Sequence, residues 1–213
     1  MLAPLIFAAA TQGAAAAVPQ GDTPVAELPS AHAYRSGLVV GLSLGSGLAG
    51  ASGYPNTVQQ IGNPDYYSAS GLMAGASGTV FVLAAFSDYL SFGLWYGRAS
   101  LGNADWHATG DGGGFRIETF PLLGVWPGLR GLGVFASLGI GSGKLDSAAP
   151  GYPEAGGTQS YAGVGVFHEW AFGRFLGGHF AAGPELEFDG IWSQPFEEHG
   201  LFASGRLTFY GGP

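Results

Sequence analysis

Seven Lys and Arg stand against fifteen Asp and Glu, a formal net charge of −8, and with five histidines these residues hold most of the chemistry the sequence could do. Several of them recur at a spacing of two: Arg116 with Glu118, and Glu185 with Glu187 and Asp189. That spacing puts side chains on one face of a strand. Glu169, His179 and Arg206 sit in comparable settings, each among large apolar residues and glycines. Counting across the last connection brings Glu185 or Glu187 beside Arg206, and counting across a short turn brings Glu169 beside His179. The expected chemistry is ion pairing away from water, by Arg116, Glu118, Glu169, His179, Glu185, Glu187, Asp189 and Arg206.

Other patterns are weaker. Gly45-Ser46-Gly47-Leu48-Ala49-Gly50 fits the dinucleotide fingerprint and follows a strand, but Ser52-Gly53-Tyr54-Pro55 cannot continue the helix that would hold the pyrophosphate. Gly141-Ser142-Gly143-Lys144 lacks the first glycine of a phosphate loop and its closing Ser or Thr. A Ser–His pair with an acid would activate a nucleophile; His168 is expected to face outward near a short turn, as an interfacial histidine beside Trp170. His107 and His199 fall in expected loops near Asp105, Asp111, Glu197 and Glu198, where solvated charge explains them more simply than a metal. The reading assigns no catalytic residue, no metal and no cofactor.

The elements that would position these residues follow from alternation. Leu38, Val40, Leu42 and Leu44 share one face, and Val39, Gly41, Ser43 and Gly45 the other; a period of two means a strand. The same division returns at about 69–82, 89–99, 114–124, 131–143, 159–171, 178–190 and 200–210, with the first strand at 34–46. Glycine, serine and the charged residues fall opposite the apolar stripe. In a soluble barrel that glycine-rich face would have to meet water; it suits a narrow lumen better. Leu38, Val40, Leu42, Leu44, Leu132, Val134, Leu138, Ile140, Phe180, Leu186, Leu207 and Phe209 are therefore expected to face lipid. Trp126, Trp170 and Trp192 fall toward strand ends, where interfacial aromatics belong, while Trp95 falls on the inner face.

Composition agrees. Only 10% of the residues are charged and 46% are hydrophobic, against about a quarter charged in soluble domains. The forty glycines show no three-residue period, and no apolar run approaches the ~18 residues of a membrane helix. Cysteine is absent, so there is no disulfide framework. The basic residues are scattered singly, which argues against nucleic acid. Residues 1–17 read as a signal-peptide-like segment, 18–33 as a linker, 34–210 as the barrel and 211–213 as a tail.

The expected fold is all-β: an eight-stranded antiparallel up-and-down transmembrane barrel with short periplasmic turns and long extracellular loops. Over residues 34–210 the chain resembles the small outer-membrane barrels of the OmpA/OmpX type, with Phe209 and Tyr210 as the aromatic end of the last strand. The resemblance implies the outer membrane of a Gram-negative bacterium, contact with outer-membrane lipid and lipopolysaccharide, and insertion by the barrel-assembly machinery. Asp65, Asp105, Asp111, Asp146, Glu154, Glu197 and Glu198, with Lys144 as their one basic neighbour, would give the exterior side a negative field. The expected role is structural, surface-interacting or envelope-supporting, with a lumen plugged by side chains and no enzymatic activity. Alternatives are a narrow channel, a lipid A-modifying enzyme and a soluble lipocalin-like binder.

Overall fold

The computed structural model describes residues 35–149 and 154–212; the signal-like segment and the linker lie outside them. The chain runs β1 (Gly37–Gly53), β2 (Ser68–Ser87), β3 (Leu90–Gly102), β4 (Trp106–Thr119), β5 (Leu132–Ser147), β6 (Ala155–His168), β7 (Trp170–Phe175), β8 (Gly178–Trp192) and β9 (Phe196–Tyr210). Sequential strands pair antiparallel from β1 to β6 and from β7 to β9, and β1 pairs with both β2 and β9. β6 and β7 both pair with β8 in one continuous register, Phe167 opposite Glu185 and Trp170 opposite Ala182. They are two parts of one stave, interrupted at Glu169. The result is a closed barrel of eight staves, in which only the short β7, paired with β8 alone, keeps an open edge at one end.

We call the end bearing residues 54–67, 103–105, 148–149, 154 and 193–195 the mouth, and the end bearing 88–89, 120–131 and 176–177 the floor. The expected alternation of long and short connections is corrected at both ends. The expected loop 100–113 shrinks to residues 103–105, because β3 and β4 run on as a ladder to Gly102 opposite His107. Beyond the apolar belt the outward face carries Arg98 and Ser100 on β3, with Asp111 and Thr109 opposite them on β4. The apolar–polar contrast vanishes there although the hydrogen bonding continues. Likewise the expected loop 191–199 closes at 193–195, so Glu197, Glu198 and His199 belong to β9. At the floor, the expected strand 114–124 stops at Thr119, and the crossing 120–131 opens with Phe120 folded into the lumen and its N–H donated to the carbonyl of Tyr89.

Elsewhere local chemistry fixes the turns. Leu176 and Gly177 both take positive φ, 48° and 80°, which matches a two-residue hairpin of the type whose twist suits flanking strands. Close packing inside the barrel needs glycine: a Cβ on Gly41 would overlap the ring of Phe81, and one on Gly133 the ring of Phe167. Inward aromatics thus lie over glycines of neighbouring staves.

The barrel is inside-out by the standard of a soluble protein. Leu44 is 59% exposed, whereas Arg206 is 2% exposed. An eight-stranded interior is just wide enough for side chains to fill, and three apolar layers do so. Met73, Leu101, Leu145, Phe196 and Phe202 pack near the mouth. Phe81, Trp95, Tyr161 and Tyr210 belong to the middle layer, and Phe120, Phe135 and Phe167 close the floor.

Candidate functional site

Between these layers lie the charges. Arg206 on β9 is the hub. Its Nη1 and Nη2 donate to Oε1 and Oε2 of Glu118, both at 2.7 Å, a fork matching the two carboxylate oxygens. Nη1 also donates to Oε2 of Glu185 at 3.0 Å, and Nε to Oε1 of Glu169 at 2.9 Å. Arg116 on β4 donates from Nε to Oε1 of Glu118 at 2.8 Å and from Nη2 to Oε2 of Glu185 at 2.9 Å. Glu169, set at the break between β6 and β7, also accepts from Thr208 Oγ1 at 2.8 Å and from the Tyr210 hydroxyl at 2.6 Å.

A third base comes from just before the first strand. Arg35 brings Nε within 4.0 Å of Glu169 Oε2, and its backbone N–H donates to Asp88 at 2.6 Å. Each guanidinium also lies over a ring, Arg35 on Phe120 at 3.5 Å, Arg116 on Phe135 at 3.6 Å and Arg206 on Phe167 at 3.9 Å. Stacking of this kind suits Arg because its planar ion is weakly hydrated. Three arginines thus meet three glutamates, and their contacts tie β4 across the lumen to the neighbouring staves β6 with β7, β8 and β9.

Not every residue expected in the network joins it. Arg116, Glu118, Glu169, Glu185 and Arg206 are brought together. His179 points inward but stacks on Tyr210, ring centroids 5.0 Å apart, while the hydrogen bonds of Glu169 described above go to Arg206, Thr208 and Tyr210. Glu187 and Asp189 lie one and two inward positions nearer the mouth and meet Tyr161, whose hydroxyl is 2.9 Å from Glu187 Oε1 and 3.4 Å from Asp189 Oδ2. Here the lumen widens into a cavity of about 40 Å³.

Sequence reading missed four participants. Arg35 falls in the expected first strand, 34–46, and parity with Val39 and Gly41 puts it on the inner face, but it is not counted among the pairing charges. Tyr161 shares a face with Gly163 and Gly165, and Tyr210 reads only as part of the aromatic end of the last strand. Glu198, expected in a solvated loop, is an inward residue of β9 with 2% exposure; its parity with Phe202 and Arg206 was the available signal. Its loop neighbours fare differently: Asp111 accepts from Ser142 Oγ at 2.7 Å on the outer wall, and Lys144 pairs with Asp146 at 3.1 Å and Glu154 at 2.9 Å.

On the outside, Leu38, Val40, Leu42, Leu44, Val134, Leu138, Ile140, Leu186 and Leu207 are exposed, whereas Leu132, Phe180 and Phe209 are half-buried. The ring of Phe180 lies 5.0 Å from that of Phe209. Near the floor, Trp126, Trp170, Phe172 and Phe175 are exposed, and His168 lies 4.5 Å from the Trp170 ring. Trp192 is exposed at the mouth end of β8. Among the described residues, no group of three or more His, Cys, Asp or Glu is arranged to hold a metal directly.

No protein-family model matches the sequence, and no curated protein matches it. Solved structures do resemble it. The attachment invasion locus protein Ail of Yersinia pestis aligns over 81% of this chain and 99% of its own, with 10% identity and a TM-score of 0.49. The N-terminal β-barrel domain of OprF from Pseudomonas aeruginosa aligns over 81% and 98%, with 12% identity and a TM-score of 0.42. Neisserial surface protein A aligns over 81% and 97%, with 13% identity and a TM-score of 0.38. At such identities the likeness is one of barrel architecture.

Proposed function

We propose that this chain is an outer-membrane β-barrel of a Gram-negative bacterium with a structural or surface-interaction role and a lumen closed by the arginine–glutamate plug. The observation that carries the reading is the inverted polarity of the barrel. Leucine, valine and phenylalanine form an outward belt, while Arg116, Glu118, Glu185 and Arg206 are buried within. Such a belt in water would be an aggregation surface far larger than monomers tolerate; in lipid it is the ordinary exterior. Spanning needs only about 9–11 residues per strand, and β2 runs from Ser68 to Ser87.

Above the belt the outward side chains turn polar, with Arg98, Asp111 and Ser142 on the adjoining staves β3, β4 and β5 and His199 on β9. This collar and the mouth connections are what the reading offers to lipopolysaccharide and to surface partners. The floor side offers exposed Trp126 and Trp170 to the inner interface, and His168, stacked on Trp170, takes no catalytic part. Barrel-assembly machinery would insert the chain.

Fractionation tests this directly. The protein should be recovered with outer membranes and should migrate differently on gels when unboiled and boiled in detergent. Recovery in the soluble fraction, with a single mobility, would overturn the reading and make the lumen the site of a soluble binder.

A further inference from the structure

The seven basic residues divide by what meets their charge. Arg35, Arg116 and Arg206 are engaged by lumen glutamates, Lys144 by Asp146 and Glu154, and Arg98 stands opposite Asp111 in register. Arg130 and Arg174 remain, both exposed and with no ion pair among the described residues. Both belong to the floor. Arg130 ends the crossing that leads into β5, its carbonyl accepting from Arg35 Nη2 at 3.3 Å, and Arg174 lies on β7 opposite His179. The acid of the floor connections, Asp88, already accepts the backbone N–H of Arg35. The mouth is the reverse, with Asp65, Asp105, Asp146, Glu154 and Glu197 set against Lys144.

The floor also carries the open edge of β7. The last rung above it is the Glu169 N–H donated to the carbonyl of Gly131 at 2.9 Å; before Gly131 the chain is diverted through a 3-10 turn at Pro127–Leu129. Trp170–Phe175 pairs with β8 alone, so the backbone groups on its other side have no strand partner among the described residues. The pairing slips between Ala171 and Gly173, and the rings of Phe172 and Phe175 lie 6.1 and 6.4 Å from that of Phe180 on the outward face. An outward sheet edge does not occur within hydrocarbon, where nothing would satisfy its amides. The β7 edge therefore belongs at headgroup depth, the level that also suits exposed Trp126 and Trp170.

We propose that this edge, with Arg130 and Arg174, binds the phosphate headgroup of an anionic glycerophospholipid of the inner leaflet, whose acyl chains lie along Trp170, Phe172 and Phe175. A sheet edge presents backbone N–H groups to an anion, and a guanidinium fork matches two phosphate oxygens. A free anion would use these donors and leave the rings uncovered; a lipid uses both. The inference rests on the membrane reading above and names the lipid class for the floor.

The test uses the full chain refolded in a neutral detergent and offered dihexanoyl phosphatidylglycerol and dihexanoyl phosphatidylcholine, with the retained lipid read by native mass spectrometry. Native protein should retain phosphatidylglycerol in preference, and raising the ammonium acetate concentration should narrow that preference. Arg130→Gln/Arg174→Gln should bind phosphatidylglycerol roughly tenfold more weakly, the scale of two exposed ion pairs, whereas the mouth-side Arg98→Gln should bind it as native protein does. Neither floor arginine has an ion pair to lose, so the double variant should keep the heat-dependent gel mobility. Equal retention of the two lipids by native protein, or a preference that survives in the double variant, would overturn the proposal while leaving the barrel reading intact. Displacement of phosphatidylglycerol by inorganic phosphate at equal concentration would make this a free-anion site and overturn the lipid assignment. Absence of the mobility shift in native protein would overturn the membrane reading, and this proposal with it.

Discussion

Glu118, Glu169 and Glu185 on the floor side of the lumen and Glu187, Asp189 and Glu198 on the mouth side come from the same barrel wall, yet they meet different surroundings. The floor group is held in a lattice of guanidinium forks stacked on phenylalanine rings. The mouth group has one tyrosine hydroxyl shared by two of its members and a cavity in place of cations. Coulomb attraction in a poorly polarisable interior offsets desolvation only where partners are close and fully bonded. The floor meets that condition. The mouth does not, so the two halves should answer substitution with opposite signs.

The largest effect should come from the hub. Arg206→Met removes four carboxylate contacts and leaves Glu118, Glu169 and Glu185 to Arg116 and Arg35. Breaking a buried network from one side costs about 3–5 kcal/mol, so the urea midpoint of the refolded barrel should fall sharply. Pairing it with Glu118→Gln sharpens the comparison: the double variant should lose clearly less than the sum of the two single losses, since the residues are directly coupled. Strict additivity would mean that the lattice is not a unit.

Glu198→Gln should move the other way. Replacing an unpartnered buried carboxylate by a neutral amide should stabilise the barrel by about 1–3 kcal/mol, the scale of an unsatisfied buried polar group. A destabilisation of that size, by the same urea titration, would mean that Glu198 is compensated within the protein.

These contrasts also mark what could be read in advance. Parity along Leu38 to Leu44, or along Arg116 and Glu118, needs only the period of the strand, and the structure has these residues on opposite faces. Parity fails where one face stops being lipid-facing. Along Arg98, Ser100, Thr109 and Asp111 both faces lose their apolar contrast, so paired strand resembles loop. It also fails across distance. Nothing local in the sequence tells Arg35 that Phe120 and Glu169 will lie beneath it, because the contact spans the lumen rather than a stave. The break at Glu169, which makes one stave look like two strands, is equally invisible in a run reading Phe167-His168-Glu169-Trp170.

Tyr161→Phe probes the mouth group from the side-chain hydroxyl that two of its members share. The hydroxyl that lies between Glu187 and Asp189 is lost while the ring and its packing against Trp95, 4.4 Å between centroids, remain. The expected loss is about 1 kcal/mol, smaller than that of Arg206→Met because no charge is left newly bare. A loss as large as the hub's would mean that the mouth group is organised as tightly as the floor.

The smallest effect belongs to a pairing that looks similar on paper. Lys144 reaches Glu154 and Asp146 at 2.9 and 3.1 Å, but on the outer wall with 44% of its side chain exposed. The hydrogen bonds from Glu154 first, and then Asp146, raise the Lys144 pKa above its usual value of 10.5. A raised lysine contributes below its unfolded value and loses that contribution as pH climbs through the folded one, so any benefit is complete at neutral pH and fades only in alkali. Water and salt screen what remains. Lys144→Met should therefore leave the urea midpoint unchanged at neutral pH, and added salt should not separate it from native protein. The midpoint deficit of Arg206→Met should likewise persist in salt, because its partners are sealed from the ions that would screen them. If Lys144→Met unfolded as early as Arg206→Met, distance rather than enclosure would decide the strength of an ion pair here, and the division of the lumen into a matched floor and an unmatched mouth would lose its physical basis.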